Sequence, residues 1–193
     1  MYLYVRAGWR KPSEDAKDLT QAFFLWLLDG EPLKSYAPER GGFRTYLKVL
    51  LRRFVGHEDA ALGRLKRGGG VLHLPITDDA AVADVKASNP EELFDRAWIA
   101  ALVDGAVDRV RARCDRDGRS VAFRVYEGYD LVPGGESPTY SQLGERLGIP
   151  VNEVKNHLFA VREEVRAEVR ADLAQATADP EELEAEWKAL FRK

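Results

Sequence analysis

Residues 137–166 read SPTYSQLGERLGIPVNEVKNHLFAVREEVR. They constrain the fold more than any other stretch of the chain. Tyr140, Leu143 and Leu147 recur at helical spacing, and so do Val151, Val154, Leu158, Val161 and Val165. Between the two runs lies only Gly148-Ile149-Pro150. Glycine is the usual residue where a helix ends in a left-handed turn. Two short amphipathic helices across so tight a break form a helix-turn-helix, so this part of the chain is expected to be all-α.

In such a unit the second helix enters the major groove, and residues near its start reach base edges. The polar positions available here are Asn152, Glu153, Lys155, Asn156, His157 and Arg162. Asparagine pairs with adenine, a carboxylate accepts from cytosine, and Lys or Arg reaches guanine or a phosphate. The competing reading is an ordinary helical hairpin with a solvated polar face.

The chain has 193 residues, enough for one or two small domains. No apolar run approaches the ~20 residues of a membrane span, and the start MYLYVRAGWRKPSED lacks the apolar core of a secretory leader. A single cysteine, Cys114, excludes an internal disulfide, and three scattered histidines do not complete a zinc site. A cytoplasmic chain without metal or cofactor is expected. The net charge of -3 is not that of a bulk nucleic-acid binder, but the charge is unevenly spread. Residues 40–67 carry Arg40, Arg44, Lys48, Arg52, Arg53, Arg64, Lys66 and Arg67 against only Glu58 and Asp59. Such a patch suits contact with DNA at selected places, with a larger partner supplying most of the affinity.

Taken in order, residues 1–10 resemble the end of a helix whose earlier part is absent. Ser13, followed by Glu14 and Asp15, is expected to cap a helix reaching about Leu28, which Asp29-Gly30 ends. A second helix is expected from about Gly42, with Phe43, Tyr46, Leu47, Leu50, Leu51, Phe54 and Val55 as its apolar stripe. Arg44, Lys48, Arg52 and Arg53 lie off that stripe. They form either a solvated face or, with the aromatics, a surface for a single DNA strand. Residues 68–88 are expected to be a linker. Asn89-Pro90-Glu91-Glu92 opens a helix ending near Gly118, residues 119–129 are read as helix rather than strand, and Asp179-Pro180-Glu181-Glu182 opens a last short one.

This order resembles bacterial RNA polymerase sigma factors of the extracytoplasmic-function type. Asp15-Ala16-Lys17-Asp18-Leu19-Thr20-Gln21-Ala22-Phe23-Phe24 is similar to that family's clamp-binding motif, and Gly42-Phe43-Arg44-Thr45-Tyr46-Leu47 to the start of its promoter-melting segment. Thr139 to Leu143 and Val154-Lys155-Asn156-His157-Leu158 resemble the region that reads the minus-thirty-five element. Lys66-Arg67-Gly68-Gly69-Gly70 and Ala178-Asp179-Pro180-Glu181-Glu182-Leu183 resemble a planctomycete-like subgroup.

The resemblance implies two small helical domains. Residues 1–67 correspond to sigma region 2, truncated at its start; 68–88 to the linker; 89–175 to sigma region 4; and 176–193 to a tail. It further implies contact with the clamp of core RNA polymerase through Asp15, Asp18, Gln21, Phe24 and Leu25, and with the flap through the second domain. Arg44, Tyr46, Lys48, Arg52 and Arg53 would hold the minus-ten strand. Thr139, Tyr140, Asn152, Glu153, Lys155, Asn156, His157 and Arg162 would hold promoter DNA at the minus-thirty-five element. An anti-sigma factor is a further partner of this family, and the chain would not be an enzyme. The departures are Tyr46 where the family often has Trp, His57-Glu58-Asp59 where basic or amide residues are usual, and Gly128 in a helix the family keeps. Two rival readings are a response-regulator-like helix-turn-helix regulator of the LuxR type and a small helical enzyme using His57, Glu58 and Asp59.

Overall fold

The computed structural model describes residues 1–66, 89–133 and 137–191. Among them every regular element is a helix. They are α1 (Tyr2–Trp9), α2 (Ser13–Leu28), α3 (Glu31–Lys34), a single 3-10 turn (Pro38–Arg40), α4 (Phe43–Lys66), α5 (Pro90–Arg116), α6 (Ser120–Asp130), α7 (Tyr140–Leu147), α8 (Val151–Gln175) and α9 (Pro180–Phe191). The all-α expectation holds, including the helical reading of 119–129. The expected linker 68–88 lies outside the described residues, as does Arg67. No described helix is long and apolar enough to cross a membrane.

Two compact units emerge. One comprises Met1–Ile99 with Ala176–Lys193, the other Ala100–Gln175. The first turns of α5 and the tail therefore group with the first unit, whereas the sequence suggested a boundary at 89 and a separate tail. In the first unit Tyr4, Val5, Ala16, Phe23, Leu27, Leu47, Leu50, Leu51, Val55 and Phe94 form one buried cluster. Its rings meet edge to face, Tyr4 on Phe94 at 5.4 Å and Phe23 on Phe54 at 5.6 Å between centroids, the geometry aromatic quadrupoles favour. The α4 stripe thus faces this core as its spacing predicts.

Helix punctuation follows the sequence with one correction. Asn89 Oδ1 accepts from the Glu91 amide at 3.1 Å, ahead of Pro90. Asp179 Oδ1 accepts from the Glu182 amide at 2.8 Å while the Glu182 carboxylate reaches back to the Ala178 amide at 2.6 Å. Ser13, by contrast, does not cap α2: it is the first helical residue, and its Oγ lies 3.0 Å from the Tyr2 hydroxyl. A tertiary partner has taken the oxygen that would otherwise cap.

In the second unit α6, α7 and α8 close over Val110, Cys114, Phe123, Val125, Leu143, Val154, Leu158, Val161, Val165, Val169 and Leu173, all buried. Burial pushes the Cys114 thiol up, which keeps it a protonated core residue. Val151, expected in this stripe, is 39% exposed at the first position of α8. Gly128 is a close approach rather than a weak point. A Cβ there would stand 2.7 Å from Arg146 Nη2 and 3.1 Å from Leu143 Cδ1, so its absence lets α7 seat against α6.

Candidate functional site

Three surfaces carry the residues singled out by the sequence. The first is the helix-turn-helix. Thr139 and Gln142 form a capping box at the start of α7: the Gln142 amide donates to Thr139 Oγ1 at 3.3 Å, and the Thr139 amide to Gln142 Oε1 at 2.9 Å. These bonds satisfy two donors a helix start leaves open. Gly148 ends α7 in the left-handed region, φ 68°. A Cβ at Gly144 would meet the Ile149 carbonyl oxygen at 2.8 Å, so the turn packs backbone directly on α7. Val154, Leu158, Val161 and Val165 then anchor α8 from below.

What α8 presents outward follows from that anchoring. Asn152, Lys155, Asn156, Phe159 and Glu163 recur at steps of three and four and are exposed. Glu153 is exposed on the flank, and His157 is half-buried. Phe159 is 69% exposed. Sequence reasoning that collected only polar positions passed over it, although an aromatic off the apolar stripe was the available signal.

Arg162, expected at the DNA, is engaged within the unit. Its Nε and Nη2 donate to the two oxygens of Asp130, each at 2.8 Å, and its guanidinium lies 5.5 Å from the Tyr129 ring centroid. The Asp130 carboxylate holds its pKa above the usual arginine range. Tyr140 is half-buried, its ring 5.0 Å from that of Tyr129. Thr139, Tyr140 and Arg162 thus build the frame, while Asn152, Lys155, Asn156 and Phe159 form its open face.

The second surface is α2. Asp15, Asp18, Gln21 and Leu25 lie on one exposed face. Leu25 and Leu28 are 71% and 72% exposed, and Phe24, Trp26 and Leu33 are partly exposed nearby. Clustered exposed apolar side chains rimmed by polar ones mark interaction surfaces. Leu28 was not among the residues expected there.

The third is the cationic side of α4, where the expected strand-binding residues are largely engaged. Arg44 donates through Nε and Nη2 to the two oxygens of Glu186, the second at 3.0 Å, and through Nη1 to Asp95. Lys48 Nζ stands 2.6 Å from Asp95 and 3.2 Å from Glu91. Their side chains are only 14% and 13% exposed. Arg52 Nε donates to the Tyr4 hydroxyl at 3.0 Å, and its Nη2 pairs with Glu91. Burial pushes the Glu91 carboxyl up, but Arg52 and Lys48 outweigh it and leave the group below the usual range. Tyr46 donates to the Pro32 carbonyl. Of the five residues expected to hold a strand, Arg53 and Arg52 remain exposed.

His57 and Glu58 are exposed, and among the described residues no group of three His, Cys, Asp or Glu could hold a metal ion. No family model, no curated protein and no solved structure matches this chain.

Proposed function

We propose that the chain is a cytoplasmic sigma factor that binds core RNA polymerase and directs promoter recognition and transcription initiation. It performs no chemistry itself. A helix-turn-helix alone would fit any regulator of transcription, so the observation that carries the reading is the exposed face of α2. There Asp18 and Gln21 flank Leu25 and Leu28, which are more than two-thirds exposed. Two solvated leucines beside an acid and an amide favour a protein partner at that face, and the resemblance supplies the polymerase clamp as that partner. In this reading α8 supplies the base-reading row at the minus-thirty-five element, the second domain docks on the flap, and an anti-sigma factor would compete for one of these faces.

The test is transcription in vitro with core polymerase on a promoter library; start-site selection no better than core alone would defeat the proposal. In parallel, Asp18→Ala with Gln21→Ala should weaken core binding while leaving the helical signal and thermal midpoint unchanged, since exposed substitutions affect stability little. The ion-paired state of Arg44, Lys48 and Arg52 favours a second reading, a helix-turn-helix regulator that does not open DNA. Failure to retain core polymerase in a pull-down, with specific duplex binding intact, would select it.

A further inference from the structure

The cations of α4 face carboxylates from two other segments of the same unit. We propose that α9 and the first turns of α5 form an acidic cover over α4, in which Glu186, Asp95 and Glu91 occupy the places of nucleic-acid phosphates. A single strand then reaches Arg44, at the start of α4, only when α9 gives way. The inference rests on the sigma-factor reading, whose resemblance implies that α4 holds a single strand.

Three observations support it. The first is the manner of pairing: the Arg44 guanidinium takes Glu186 with two donors on two oxygens, the fork geometry by which arginine also takes a phosphate. The second is matching of charge, since Arg44, Lys48 and Arg52 meet Glu186, Asp95 and Glu91 with no cation of the three left over. The third is the attachment of the tail. The Ala176 carbonyl accepts from the Tyr36 hydroxyl at 3.1 Å and from the Phe43 amide at 3.2 Å, and a Cβ on Gly42 would lie 3.0 Å from Glu182 Oε1. The tail is thus fastened where α4 begins, beside Arg44. A site open for only a fraction of the time shows an affinity lowered by that fraction, so the cover sets how readily the free chain takes up a strand.

The probe is a short fluorescent oligodeoxythymidine, titrated against the full chain at several salt concentrations. Glu186→Gln should bind it severalfold more tightly than the unmodified chain, with a salt dependence steeper by about 0.7, the increment for one further phosphate contact on a single strand. Arg44→Gln in the Glu186→Gln background should remove that gain. In the unmodified chain, the oligonucleotide should accelerate amide exchange in Pro180–Phe191; this measurement decides the matter if Glu186→Gln does not fold. Unchanged binding by a folded Glu186→Gln variant, or unchanged exchange in α9 at saturating oligonucleotide, overturns the cover. Start-site selection by holoenzyme is read separately. Selection without α9 opening retains the sigma-factor reading and discards the cover, whereas α9 opening without selection retains the cover and discards that reading.

Discussion

The exposed side chains of α8 should fail in different ways when removed. Asn156 offers an acceptor and a donor to one base edge, so Asn156→Ala should lose about 1–3 kcal/mol on the preferred sequence and relax preference at one position. Phe159 offers only apolar surface, which suits a thymine methyl group. Phe159→Ala should lose about 1 kcal/mol at a thymine, the worth of roughly 40 Å² of apolar contact, and leave the salt dependence unchanged. Binding by holoenzyme to promoters varied one base at a time separates the two, and equal losses on every sequence would show that neither reads a base. Arg162 belongs to another class. Its two bonds to Asp130 and its position over Tyr129 join α8 to α6. Its side chain is 41% exposed, so solvent screens the pair, and Arg162→Ala should lower stability by no more than about 1 kcal/mol. The salt slope of DNA binding should stay as it was; a slope flattened by about 0.9 would instead make Arg162 a phosphate contact.

Between helices, arginine–carboxylate pairs in the second unit run to α8 from α5 and from the turn that follows it. Arg109 bonds Glu168 at 2.8 Å and Asp172 at 2.5 Å, Arg113 pairs with Glu168, and Arg119 holds both oxygens of Glu164 at 2.6 and 3.0 Å. The Arg119 guanidinium lowers the Glu164 carboxyl, and Arg109 with Arg113 lowers that of Glu168. Both groups thus bind a proton less readily folded than unfolded. Their contribution is present above the ordinary glutamate value of about 4.3 and is lost as pH falls through the lowered folded values. The thermal midpoint of this unit should therefore hold above about pH 5 and fall below it, less steeply in Glu164→Gln with Glu168→Gln. An identical acid slope in that variant would show that these pairs contribute nothing. Little of this was legible beforehand. Helix ends were, because Asn89-Pro90, Gly118, Gly148 and Asp179-Pro180 act through bonds to their immediate neighbours. So were the buried stripes of α4 and α8, apart from Val151. Pairing between helices was not, because periodicity reports which side of a helix is polar and not what stands opposite. The cap expected at Ser13 failed for that reason, and the partners of Arg44 and Arg162 were invisible for it: each lies in a segment distant in sequence.

Taken over the whole chain, the same pairing limits what the protein should do alone. Arg44, Lys48 and Arg52 are neutralised in the first unit, and Arg109, Arg111, Arg113, Arg119 and Arg162 pair with carboxylates in the second. The outward row of α8 carries one cation, Lys155, against Glu163, and the net charge is -3. Each phosphate neutralised on duplex DNA steepens the dependence of log K on log salt by about 0.9. If the duplex meets only the outward row of α8, the free chain should engage fewer than about three phosphates, so its duplex binding should be weak with a slope shallower than about -3. Lys155→Ala should flatten that slope by about 0.9, and core polymerase should steepen it by adding cations of its own. The measurement is a salt titration of duplex binding by the free chain and by its complex with core. A slope near -6 for the free chain would mean that cations beyond the α8 row reach phosphates, either exposed ones such as Arg53, Arg124 and Arg146 or arginines that exchange their carboxylates for phosphates on contact with DNA; a slope that falls back in Arg53→Ala, Arg124→Ala and Arg146→Ala would select the first.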